Sequence, residues 1–117
     1  METFGERIKR ARREQKLTQR DLANRIGVNF TYLSKIENGE MPAPSEEKIF
    51  GLAKHLQLDA DELFSLARRL PDELVDLATK PHMPTILRAA KDLSDQERQE
   101  MLEWVEQRRA KKGPPEP

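Results

Sequence analysis

The stretch from Thr18 to Gly39, TQRDLANRIGVNFTYLSKIENG, constrains the fold most. Thr18 is a helix-capping residue, Leu22, Ala23 and Ile26 follow at helical spacing, and Gly27 is a terminator. Asn29 caps a second helix almost at once, and Asn38–Gly39 ends it. Helices this short are not stable alone in water. Each must bury its apolar stripe against other helices. The rest of the chain therefore has to supply the covering elements.

It supplies them as helices. Thr3 and Glu6 have capping-box spacing, and Phe4, Ile8 and Ala11 share one face, predicting a helix over about residues 4–15. The segment GEMPAPSEE reads as a proline-interrupted loop. Ser45 then caps a fourth helix carrying Ile49, Leu52, Ala53 and Leu56, with Glu46 and Glu47 at the positive end of its dipole. Asp59 and Glu62 open a fifth, with Leu63, Leu66, Ala67 and Leu70 as its stripe. No alternation long enough for a strand occurs, so the fold class expected is all-α.

After Leu70 the character changes. Pro71 starts a helical segment bearing Leu74, Leu77 and Ala78. KPHMP reads as a turn or linker, TILRAAKDL as a short helix, and Ser94 with Glu97 as the cap of a longer one over DQERQEMLEWVEQRRAKK. Its apolar face is narrow: Met101, Leu102 and Val105, with Trp104 at the edge. The expected organisation is a domain over residues 1–69, a helical region over 70–112 and a disordered tail at 113–117.

Charge is distributed unevenly. The chain has 21 Lys and Arg against 21 Asp and Glu, yet residues 1–39 hold nine basic against five acidic side chains and residues 40–117 twelve against sixteen. A basic contact surface at one end and a different task at the other is the reading this favours. No apolar run has the roughly 20 residues of a membrane span, and the first ten residues lack the apolar segment of a signal peptide, so a cytoplasmic location is expected. The chain has no Cys, which excludes disulfides and thiolate metal sites. His55 and His82 are isolated, without metal-ligand spacing, and His55 is expected to be exposed. No catalytic constellation, cofactor motif or metal site is expected, and the carboxylates follow helical surface spacing rather than converging on an apolar cleft.

A capped helix, a turn of three to four residues and a second capped helix form the layout of a helix-turn-helix, whose second helix enters the DNA major groove. On that helix Leu33 and Ile36 point inward with Glu37 near them, while Thr31, Ser34, Lys35 and Asn38 gather opposite. The outward set is short, polar and free of carboxylates, which suits a helix lying close to base edges. LTQ, then LA, then G, then LSKIENG at these intervals resembles the XRE family, the lambda-repressor/Cro-like DNA-binding domains, over about residues 4–66. The fold implied is five helices.

The resemblance implies roles. Phe30, Thr31, Ser34 and Lys35 occupy base-reading positions; Thr18, Gln19, Asn29 and Asn38 match phosphate contacts, and Arg12 and Glu37 match a partly buried structural ion pair. Arg10, Arg13, Lys16, Arg20 and Arg25 are generic phosphate candidates, Arg10 and Arg20 foremost. Phe30 stays open between two readings, packing partly on the second helix or touching a thymine methyl; Tyr32 is the better candidate for packing. The acidic loop GEMPAPSEE departs from the basic loop the family often has, so no backbone contact carries over to it.

Such a domain reads only a few base pairs, and family members usually pair to bind a palindromic operator. The stripes at Leu74 and Leu77, at Ile86, Leu87 and Ala90, and at Met101, Leu102 and Val105 are too narrow to bury themselves, so they are expected to form a homodimer. The layout also resembles XRE repressors controlled by an ImmA/IrrE-type metallopeptidase, with cleavage in the C-terminal helices relieving repression. An antitoxin that binds a toxin through its C-terminal part and a restriction–modification controller protein are the alternatives. A helical adaptor without DNA leaves the carboxylate-free face unexplained.

Overall fold

The computed structural model describes residues 1–112; the tail expected at residues 113–117 lies outside them. The described residues contain helices and no strand. Five helices come first: α1 Phe4–Glu14, α2 Gln19–Ile26, α3 Phe30–Glu37, α4 Glu46–Leu56 and α5 Ala60–Leu66. Three more follow: α6 Asp72–Val75, which continues as a 3-10 turn over Asp76–Thr79, α7 Met83–Lys91 and α8 Asp95–Lys112. The chain divides into two compact units, Met1–Leu74 and Val75 onward. Among the described residues no helix is long and apolar enough to cross a membrane.

In the first unit each helix begins where a side chain satisfies its free amides. Thr3, Thr18, Asn29, Ser45 and Asp59 cap α1 to α5, each accepting from a backbone N–H in the first turn. Thr18 and Asp21 form a reciprocal capping box. Gly27 ends α2 in the left-handed conformation at φ 75°, which a glycine adopts without side-chain strain. The Lys48 ammonium donates to the Ile26 carbonyl at 2.8 Å, placing a cation from α4 at the negative end of α2.

The predicted stripes converge on one core. Phe4, Ile8 and Ala11 of α1, Leu22, Ala23 and Ile26 of α2, Leu33 and Ile36 of α3, Ile49, Leu52, Ala53 and Leu56 of α4, and Leu63 of α5 are all buried. So is Phe64, which the predicted α5 stripe does not include, while Leu66 and Ala67 are only partly buried against them. Helix α1 crosses α3 at Gly5, where a β-carbon would lie 2.4 Å from the Ile36 carbonyl oxygen and 2.6 Å from that of Glu37. Only a residue without a side chain fits there.

Several expectations are corrected. Helix α1 ends one residue early, at Glu14. Leu70 is not part of the α5 stripe: α5 ends at Leu66, Arg68 turns left-handed at φ 56°, and Leu70 is 60% exposed. The segment behind it is instead tied to the loop before α4 and to the first residue of α4. The Arg69 guanidinium donates to the Pro44 carbonyl, the Asp72 amide donates to Glu46 Oε1 at 3.0 Å, and Pro71 is buried. His55 is half-buried rather than exposed.

The stripe of Leu74, Leu77 and Ala78 does not ride on one helix, because α6 lasts a single turn before tightening to the 3-10 form. KPHMP is only partly a turn: Met83 and Pro84 already belong to α7, a place proline tolerates because first-turn amides lack partners anyway. Ser94 and Glu97 cap α8 reciprocally, as expected, with both bonds near 3 Å. No residue among 75–112 is buried.

Candidate nucleic-acid interface

Helices α2 and α3 are joined through Gly27, Val28 and Asn29, and both lie on the core by their apolar stripes. Leu33 and Ile36 therefore turn inward and commit the opposite side of α3 to solvent. Thr31 and Lys35 are exposed there, Ser34 is half-buried, and Asn38 is exposed at the C-cap. Tyr32 packs partly against the core, as expected for it. The exposed face carries no carboxylate, because the one acid of the helix, Glu37, is turned inward.

Arg12 and Glu37 account for that turn. Arg12 Nε and Nη2 donate to the two Glu37 carboxylate oxygens at 2.8 and 3.0 Å, the bidentate geometry of a strong pair. Arg12 Nη1 donates to the Leu17 carbonyl at 2.9 Å, and Gln19 Nε2 donates to Glu37 Oε1 at 3.1 Å. The Glu37 side chain is fully buried. The pair thus joins α1, the turn before α2, α2 itself and α3, and it sets the attitude of α3 against the domain.

The expected phosphate residues separate into distinct situations. Thr18 caps α2 and is exposed, and Asn29 caps α3 by accepting from Tyr32 N–H at 2.7 Å. Gln19 is half-buried and already bonded to Glu37, so its amide orients the network as well as facing outward. Arg10 lies between Glu2 and Glu14: Nε and Nη2 donate to Glu2 at 2.7 and 2.9 Å, and Nη1 to Glu14 at 3.1 Å. Those bonds, chiefly from Glu2, hold its pKa above the ordinary guanidinium value and pull Glu2 below the ordinary carboxylate value. Arg10 would have to release its carboxylates to take a phosphate.

Arg20 makes a different contact. Its guanidinium carbon lies 4.6 Å from the centre of the Phe30 ring, which is 42% exposed. Neither reading of Phe30 foresaw this partner, since an aromatic ten residues from an arginine on another helix gives no local signal. Lys9 was also missed. With Arg13, Thr18, Gln19, Arg20 and Phe30 it lines a depression of about 680 Å³ beside the α2 N-terminus. The spacing of Lys9 and Arg13 on one face of α1 was the available clue.

This arrangement, a second helix with a carboxylate-free polar face beside a cationic rim, is that of a helix-turn-helix DNA-binding module. The Helix-turn-helix family model matches residues 8–63, and that stretch is an XRE-type, lambda-repressor-like helix-turn-helix domain. The chain is 40% identical over 63 residues to the HTH-type transcriptional repressor RghR of Bacillus subtilis (strain 168), covering 54% of this chain and 47% of that protein. It spans about half the length of the Bacillus subtilis regulators it matches. Among solved structures it is similar to the biofilm regulator SinR in complex with DNA, at 31% identity and TM-score 0.50 over 53% of this chain and 98% of that one. It is also similar to the P22 c2 repressor in complex with a synthetic operator, at 33% identity and TM-score 0.51, over 54% and 94% of the two chains.

Proposed function

We propose that this chain is a sequence-specific repressor that binds a palindromic double-stranded operator as a homodimer. The observation that carries the reading is the outward face of α3: Thr31, Ser34 and Lys35 stand free of carboxylates while Glu37 is drawn inside by Arg12. Lys35 suits guanine N7 and O6, and Thr31 suits a thymine methyl. Thr18, Asn29 and Asn38 hold the backbone at either end of the helix pair.

The homodimer is supported by the second unit. Leu77, Ile86, Leu87, Met101, Leu102 and Val105 are all exposed, together with Trp104 at 57%, and large apolar side chains left in water on successive helices favour an association that covers them. Of the partners weighed from the sequence, a second copy is the one favoured. A palindromic site needs two readers, and a closed two-fold pair supplies them with a single interface. A regulatory metallopeptidase or a toxin requires a recognition feature beyond this apolar surface.

Two measurements test the reading. Selection from a randomised duplex library should yield an inverted repeat with half-site centres about 34–36 Å apart, bound with an affinity that falls as salt rises. Light scattering of the full chain against a 1–74 fragment, which retains the buried core and the Arg69 and Asp72 ties, should show association lost in the fragment. Salt-indifferent, sequence-indifferent binding refutes the repressor, and a monomeric full chain refutes the dimer.

A further inference from the structure

The Phe30 ring stands at the start of α3, but one of its faces is already taken. The guanidinium carbon of Arg20 lies 4.6 Å from the ring centre, within the range of cation–π attraction. Arg20 sits in the first turn of α2, so the contact bridges the two helices on their common rim. Its N–H groups are open: among the described residues Arg20 has no carboxylate within 4.0 Å and no hydrogen-bond acceptor. Arg7, Arg10 and Arg12, by contrast, are all held by carboxylates.

Lys9 and Arg13 share this unpaired condition and line the same depression as Arg20 and Phe30. Three uncompensated cations around one recess are a poor match for an uncharged base edge and a good match for an anion. A guanidinium laid on a ring keeps its donor edge free while losing rotational freedom, so it meets two phosphate oxygens with its fork already aligned. The ring face under Arg20 is unavailable to a thymine methyl.

We propose that Phe30 is a positioning residue: its ring holds the Arg20 fork toward a DNA backbone phosphate, flanked by Lys9 and Arg13. The proposal rests on α3 being the base-facing helix. It assigns Phe30 to affinity, exerted through Arg20, and leaves base discrimination to Thr31, Ser34 and Lys35.

The test uses the full chain with short duplexes selected from a randomised library, their single-base-pair variants, and a salt series. Phe30→Leu keeps apolar bulk but removes the π face; it should weaken every duplex by the same factor, about two- to five-fold. Arg20→Met should likewise act uniformly and make the log affinity against log salt slope shallower by about one. Phe30→Tyr should behave as wild type, and Phe30→Leu with Arg20→Met should be no weaker than Arg20→Met alone. Additive losses overturn the proposal, as does a Phe30→Leu variant that changes preference at one A·T pair with its salt slope intact. Should Phe30→Leu fail to fold, Arg20→Lys decides. A held fork predicts that lysine does not restore the affinity lost in Arg20→Met, and full restoration overturns it. Failure of the underlying reading looks different: Lys35→Ala and Ser34→Ala would leave base preference unchanged, and so would every other variant.

Discussion

Arg12 of α1 grips Glu37 of α3 with two parallel hydrogen bonds, 2.8 and 3.0 Å long, across 25 residues of sequence. The pair is closed by the Leu17 carbonyl on one side and the Gln19 amide on the other, so no polar atom of the Glu37 carboxylate is left without a partner. Removing one member strands the other in the interior. Arg12→Met or Glu37→Leu alone should therefore lower the unfolding free energy by about 3–5 kcal/mol in chemical denaturation. The double replacement should recover much of that loss, since a buried pair exchanged for apolar side chains of similar volume is often neutral. Single losses under about 1 kcal/mol would show that the pair is hydrated in solution.

Gly5 should not tolerate even a methyl group. Its β-carbon would stand 2.4 Å from the Ile36 carbonyl oxygen, a backbone atom that cannot rotate away. Gly5→Ala should destabilise the domain by about 1–3 kcal/mol or more through overpacking. It should also weaken operator binding, because α3 is the element pushed aside. Gly39 offers the contrast: nothing lies within 4 Å of its β position, and its demand comes only from φ +76°. Gly39→Asn should be far milder than Gly39→Val in the same thermal melts.

The two capping boxes predict a pH dependence. Asp21 is held below the ordinary carboxylate pKa, first by the Thr18 backbone N–H and then by its hydroxyl; Glu97 is lowered by the corresponding groups of Ser94. A depressed folded pKa means that the unfolded chain binds the proton more readily, so this stability is present above the ordinary carboxylate pKa and is lost as pH falls through the folded values. Asp21→Asn and Glu97→Gln should each be less stable than wild type at neutral pH, with the difference shrinking on acidification. Helix content followed by circular dichroism from pH 7 to 2 reads this; a gap that widens in acid would contradict it.

Replacements on the outward face of α3 should separate reading from holding. Lys35→Ala should cost about 1–3 kcal/mol on the preferred duplex and relax selectivity at one position. Asn38→Ala should weaken all duplexes alike. Binding to a panel of single-base-pair variants distinguishes the two patterns, and uniform loss for Lys35→Ala would remove it from the reading set.

The sequence by itself determined the five-helix order of the first unit and the helix-turn-helix within it. Thr18, Gly27, Asn29 and Ser45 act on amides or a backbone turn within a few residues of themselves, and stripes such as Ile49, Leu52, Ala53 and Leu56 repeat at the helical period, so both are written locally. The Arg12–Glu37 pair was legible through resemblance alone. Where the local code was weak it misled: Leu70 continued the α5 stripe in register, but the chain turned back at Arg68 and tied itself to Pro44 and Glu46. Only the tertiary structure decided that Arg20 covers Phe30, that Gln19 supports Glu37, that Arg10 is held by Glu2 and Glu14, and that Gly5 touches the end of α3. Most of these are contacts between different helices, set by where packing brings their side chains together, and no periodicity or cap in one segment specifies its neighbour in another.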